Sequence, residues 1–214
     1  SNQQGNTLII SSLALSATKN VSVGNIQTVY KATEVTLGSY VISAGAAEGV
    51  DVSAVTFEDS TTSDATATNA NYSLGAAFTN LRLYKGTTQL GSTVVPNTSD
   101  AAGTDYTFNI TPALSIAAGT SITVDLKGDV LASGLTWSNG NETAIVTVEG
   151  SGQTSSNSVT FSAGISGQTI TLTGSGDIGL TIDPTTPSAA ITYLGQTDVI
   201  LGIWKINQPS SVEA

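Results

Sequence analysis

Short runs in which apolar and polar residues alternate recur along almost the whole chain, parted about every 8–15 residues by Gly, Asn, Ser or Pro. Val50–Glu58 shows the pattern best: Val50, Val52, Ala54 and Thr56 alternate with Asp51, Ser53, Val55 and Phe57. Successive side chains of a strand point to opposite faces, so such a run is built to lie in a sheet. No stretch carries a helical period long enough to form a helix. The expected fold class is therefore all-β, a mainly antiparallel β-sandwich of Ig-like type, with strand exchange between subunits left open.

Strands are expected at Thr7–Leu15, Glu34–Ser43, Val50–Glu58, Phe78–Tyr84, Thr87–Val95, Asp105–Thr111, Ser121–Val130, Glu142–Glu149, Ser158–Phe161, Thr169–Thr173 and Thr197–Ile206. Lys85-Gly86 reads as the turn of a β-hairpin. Pro112–Thr120 reads as a bridge across the sandwich, and Asp59–Ser73 and Pro96–Thr104 as polar loops.

The chain repeats itself. TEVTLGSYVI at Thr33–Ile42 returns 164 residues later as TDVILGIWKI at Thr197–Ile206, with Val199, Leu201, Gly202, Trp204 and Ile206 in the places of Val35, Leu37, Gly38, Tyr40 and Ile42. GNTLIISSLALS from Gly5 is echoed by GQTITLTGSGDI from Gly167, and a tyrosine precedes the strand in both places, Tyr30 and Tyr193. Residues 1–32 thus read as an N-terminal β segment like the end of a repeat, 33–162 as the core β-sandwich, and 163–214 as a segment ending in the start of a second repeat.

The later copy is the more apolar, since Ile200 replaces Thr36 and Ile203 replaces Ser39. Burying its six large apolar side chains is worth on the order of 10 kcal/mol at roughly 1.5–3 each. Ordering its backbone costs about as much at roughly 1–2 kcal/mol per residue, so it needs a sheet to settle in. Three sources of that sheet stand open: its own domain, further repeats of a longer array, or a neighbouring chain completed by strand addition. On the last reading Val199, Ile200, Leu201, Ile203, Trp204 and Ile206 form the interface.

Composition narrows the function classes. A net charge of −10, from 16 acidic and 6 basic residues, is wrong for phosphate backbones and for an anionic membrane surface. No run of about 18 apolar residues is present to insert into a bilayer. There is no Cys, so disulfides and thiolate metal sites are out, and no His to serve as an imidazole base. There is also no Met, so Ser1 is read as the product of processing or excision, an extracellular or cell-surface chain with its leader removed.

The acids stand singly along loops and strand ends, with no two marked as a catalytic pair, and the chain is expected not to be an enzyme. No cofactor is expected. Calcium is the one ion left open, with Glu58, Asp59 and Asp64 as weak ligand candidates at the start of the Asp59–Ser73 loop, against the plainer reading of a solvated acidic loop. Five N-x-[ST] triplets, at Asn20, Asn71, Asn97, Asn109 and Asn141, are no more than the Ser/Thr content would supply by chance. Trp137 either stacks on a sugar or plugs one end of the sandwich.

The run AFTNLRLYKGTTQLGSTVV, followed by AGTSITVDLKGDV, spans roughly Ala77–Val130 and resembles the tandem β-sandwich modules of large secreted bacterial surface proteins. The resemblance implies a structural or adhesive surface role and carries no active site with it. The expected function is a structural subunit of an extracellular filament, pilus-like fibre or surface layer, a homopolymer built by strand complementation. The alternative is an adhesin module for a carbohydrate or host ligand, which would make a glycan the partner.

Overall fold

The computed structural model describes residues 12–60, 73–101, 103–132, 137, 141–173, 179–186, 194–200 and 202–207. The chain divides into two compact units, Ser1–Leu172 and Thr173–Ala214.

The first unit is an all-β sandwich with ten strands among the described residues: β1 Leu15–Lys19, β2 Ile26–Val29, β3 Val35–Ala44, β4 Val50–Ser60, β5 Phe78–Lys85, β6 Thr88–Val94, β7 Tyr106–Ile116, β8 Ser121–Val130, β9 Glu142–Gly152 and β10 Ser158–Thr173. One sheet has the order β1-β3-β8-β5-β6 and the other β2-β10-β9-β4-β7. The pairs β1/β3, β3/β8, β8/β5 and β5/β6 are antiparallel, as are β4/β7, β4/β9 and β9/β10. Both β1 and β2 come from the segment read as an N-terminal piece, and β1 is paired to β3 from Leu15↔Ala44 to Lys19↔Tyr40.

Period-2 patterning explains the core. Along β7 burial alternates from Tyr106 through Phe108 to Ile110, and along β8 from Val124 through Leu126 to Val130. The inner faces meet through Tyr40, Phe57 and Phe108, whose rings lie 5.5 and 5.8 Å apart in tilted and edge-on pairs. Tyr40 is fully buried. It fits because two neighbours lack side chains: a Cβ at Gly38 would lie 2.7 Å from its ring, and one at Gly167 would lie 2.9 Å from it. Its hydroxyl donates to the Thr143 carbonyl at 2.6 Å and lies 2.8 Å from Thr143 Oγ1, tying β3 of one sheet to β9 of the other.

Four stretches differ from their sequence patterns. The bridge expected at Pro112–Thr120 is strand as far as Ile116. Proline lacks the ladder donor, but β7 is the edge of its sheet, where one missing N–H is tolerated. The two short strands expected at Ser158–Phe161 and Thr169–Thr173 are one long strand, β10, whose register slips between Ser162 and Ile165 and again between Ser166 and Thr169. Such bulges let a single strand bend, which masks its period in the sequence. Of the strand expected at Thr7–Leu15, only Leu15 is strand among the described residues. The ten-residue strand expected at Thr197–Ile206 is strand only from Trp204.

That strand, β12 (Trp204–Asn207), belongs to the second unit, where it pairs antiparallel with β11 (Gly179–Ile182) in a two-stranded sheet.

Candidate functional site

The candidate surface is the ribbon β11/β12 and the segment that leads into it. The register runs Gly179↔Asn207, Leu180↔Ile206, Thr181↔Lys205 and Ile182↔Trp204. Asp183 closes the end of β11: its N–H donates to the Ile203 carbonyl at 2.9 Å, and its Oδ1 accepts the Thr185 N–H at 2.8 Å. The bonds to its carboxylate, from the Thr185 hydroxyl and N–H, hold the Asp183 carboxyl below the usual carboxylate range. Thr186 Oγ1 donates to the Ile203 carbonyl at 2.7 Å and accepts its N–H at 3.2 Å. The segment is therefore hydrogen-bonded locally, without a wider sheet among the described residues.

The apolar side chains are open. Ile182 is 68% exposed, Ile200 62%, Trp204 56% and Ile206 71%. Val199 and Ile203 are half-buried, and Leu201 lies outside the described residues. Ile182, Trp204 and Ile206 stand on the ribbon and Ile200 in the segment before it, and together they form a candidate interaction surface. Trp204 lies over Gly202, where a Cβ would come within 2.6 Å of its ring. Among the described residues, β12 has one strand partner, so its outer edge keeps unpaired backbone groups, a template for a further strand.

The remaining sequence candidates lie elsewhere. Glu58 and Asp59 sit at the end of β4, and Asp64 lies outside the described residues. Asp59 is buried, 2% exposed, with Oδ1 accepting the Gly103 N–H at 2.6 Å and Oδ2 without a hydrogen-bond partner. Burial raises the pKa of Asp59, and burial with the nearby Asp105 and Asp59 raises that of Glu58. Among the described residues no group of three or more acidic side chains is placed to hold a metal ion.

Trp137 is half-buried and faces inward. Its ring meets Phe78 edge-on at 5.0 Å, and its Nε1–H donates to the Ile170 carbonyl at 3.2 Å. A groove of about 460 Å³ lies between β6 and β7, lined by Leu90, Gly91, Ile110, Pro112 and Leu114, with Lys85 as its charged member. A shallower hollow of about 260 Å³ holds Glu48, whose carboxylate accepts from Thr154 N, Ser155 N and Ser155 Oγ and is held below its ordinary pKa by those bonds.

One ion-pair cluster ties β8 to β5 and to the residue before β3 in the middle of their sheet. Asp129 accepts from both terminal nitrogens of Arg82 at 3.1 and 3.2 Å, from Asn80 Nδ2 at 2.8 Å and from Glu34 N at 2.9 Å. Desolvation pushes its pKa up, but Arg82, Glu34 N and Asn80 together bring it below the ordinary value. Sequence reading did not find this cluster, because nothing local links Asn80 and Arg82 to Asp129.

No protein-family model, no curated protein and no solved structure matches the chain.

Proposed function

We propose that the chain is a non-enzymatic structural subunit of an extracellular polymer, a filament, pilus-like fibre or surface layer, whose copies are joined by β-strand complementation through the C-terminal ribbon. The carrying observation is the exposure of Ile182, Trp204 and Ile206 on a strand pair whose outer edge is open among the described residues, with Ile200 exposed in the segment before it. An extended segment joins a sheet through main-chain hydrogen bonds, and its alternate side chains supply the specificity. Apolar burial supplies the drive.

The rest of the chain suits that role. A low-charge, Thr/Ser-rich sandwich with no cysteine is a passive, stable body on which to carry an assembly strand. The resemblance of Ala77–Val130 to tandem surface modules points the same way.

Removing residues 198–214 tests the reading. The expected product is a folded sandwich with wild-type circular dichroism that forms no ordered assemblies by negative-stain electron microscopy, where the full chain does. Assemblies that persist after the truncation overturn the proposal.

A further inference from the structure

The ribbon of the second unit repeats the β1/β3 corner of the first in its detailed geometry. In the sandwich, Lys19, Thr18, Ala17 and Ser16 stand opposite Tyr40, Val41, Ile42 and Ser43. In the ribbon, Ile182, Thr181, Leu180 and Gly179 stand opposite Trp204, Lys205, Ile206 and Asn207. The second strand is displaced by 164 residues between the two, and the first by 163.

The turns agree as well. Asn20 Oδ1 accepts the Ser22 N–H at 3.1 Å, as Asp183 Oδ1 accepts that of Thr185 at 2.8 Å. The bonds Val23 N to Asn20 O and Asn20 N to Ser39 O, at 3.3 and 3.0 Å, return as Thr186 N to Asp183 O and Asp183 N to Ile203 O, at 2.8 and 2.9 Å. The approach to the second strand uses left-handed backbone at Lys31 and Glu34, with φ of 67° and 54°, and again at Gly195 and Asp198, with φ of 91° and 59°. Left-handed φ at a non-glycine residue is uncommon, so its recurrence at the matching Glu34 and Asp198 is a strong coincidence to explain otherwise. Finally, an aromatic ring lies over the glycine two residues before it in both places, Tyr40 over Gly38 and Trp204 over Gly202.

The two corners differ in what lies beside the second strand. The outer edge of β3 carries β8, in a register that places Ile42 against Ile122, Tyr40 against Val124 and Ser39 against Asp125. No strand occupies the matching edge of β12 among the described residues. We propose that β11 and β12 are the opening strand pair of a second sandwich, and that the outer edge of β12 takes an antiparallel strand of the β8 type from a sandwich of this kind that lacks its own β1–β3 corner, with Trp204 against the counterpart of Val124 and Ile206 against the counterpart of Ile122. This deepens the strand-complementation reading, on which it rests for the role of the ribbon in assembly.

The ribbon also states a preference. Ser39 Oγ donates to Asp125 Oδ1 at 2.5 Å and accepts from Asn20 Nδ2 at 3.0 Å. The matching ribbon positions are Ile203 and Asp183, and neither has a side-chain hydrogen to give a carboxylate. Asp125 is half-buried, and an acid drawn from water without a donor is costly, so the accepted strand carries an uncharged residue opposite Ile203.

The test extends the full chain from Gln208 directly into a second copy of Gly45–Leu172, with Trp137→Phe in both copies so that Trp204 is the sole tryptophan. Two versions carry Asp125 or Asp125→Val in the appended copy, and a control lacks the appended Ser121–Val130. Expected are a blue-shifted Trp204 emission and a several-fold lower acrylamide quenching constant in the extended chains, larger with Asp125→Val and absent from the control. In a separate replacement variant, residues 179–208 take the place of 16–44 of the first sandwich alongside Asp125→Val. A cooperative unfolding transition with Trp204 buried is expected there. Solvent-like Trp204 in all extended chains, together with loss of cooperative unfolding in the replacement, overturns the inference. An unmodified chain that stays monomeric while the extended chain buries Trp204 keeps the strand assignment and removes self-polymerisation, so the two failures are told apart.

Discussion

Replacing Tyr40 with Phe removes one oxygen from the centre of the sandwich and leaves the ring. The ring keeps its tilted contact with Phe57 at 5.5 Å. What is lost is the donation to the Thr143 carbonyl at 2.6 Å, the inter-sheet hydrogen bond that Tyr40 makes through its O–H. Thr143 Oγ1 keeps its own acceptor, the Leu37 carbonyl at 3.1 Å, while the buried Thr143 carbonyl loses a strong partner. A buried acceptor stripped of its partner costs about 1–3 kcal/mol. In a domain of this size that corresponds to a fall in Tm of about 2–4 °C per kcal/mol. Guanidinium unfolding followed through Trp137, which packs on Phe78 inside the same unit, reads the change as a lower midpoint with unchanged slope. Burial raises the Tyr40 pKa well above its ordinary value. Stability from this group is therefore complete below about pH 10, the unfolded value, and is lost as pH rises from there toward the folded value; the Phe variant lacks that alkaline loss. An unshifted midpoint at neutral pH, or an alkaline limb identical in the two proteins, would refute the inter-sheet tie.

Asp129→Asn should cost about 1.5–3 kcal/mol at neutral pH, because its hydrogen bonds to Arg82 are charge-assisted. The folded pKa of Asp129 is depressed, so this stability is present above the unfolded pKa and is lost as pH falls through the folded one; urea midpoints of wild type and variant should converge in acid. Asp59→Asn has the opposite sign. Asp59 is buried with Oδ2 unpartnered and its pKa raised, so ionisation strains the folded state above the unfolded pKa. The variant should match or exceed wild type at pH 7, with the gain shrinking as pH falls, again by urea midpoints. Gly38→Ala drives a methyl into Tyr40 and Thr143 and should lower the thermal midpoint to a similar degree as Tyr40→Phe, since overpacking a tight core typically costs about 1–3 kcal/mol.

The alternation at Val50–Glu58 and the NLRLY-turn-LGST pattern each predict a strand or hairpin that the structure contains, because local period and turn chemistry suffice there. Pro112 hides the second half of β7, since a strand with a proline reads as broken until its place at a sheet edge is known. The kinship of Thr33–Ile42 with Thr197–Ile206 and the apolar set Ile200, Trp204 and Ile206 are visible in the letters, but the exposure of that set is not, since the matching Tyr40 and Ile42 are buried. The shared register, the Asn20 and Asp183 turns, and the left-handed Lys31, Glu34 and Asp198 are not visible. They are long-range or non-glycine backbone features, which composition does not encode. The tie from Tyr40 to Thr143 and the cluster at Asp129 are missed for the same reason: their partners lie 103 and 47 to 95 positions away.

Sedimentation velocity of the full chain over a wide concentration series, beside the chain lacking residues 198–214, addresses the assembly role of the ribbon most directly. Mass action through an open β12 edge and its apolar face predicts species that grow with concentration in the full chain, and a single monomer boundary at every concentration in the truncated one. A full-length chain that sediments as a monomer throughout would contradict it.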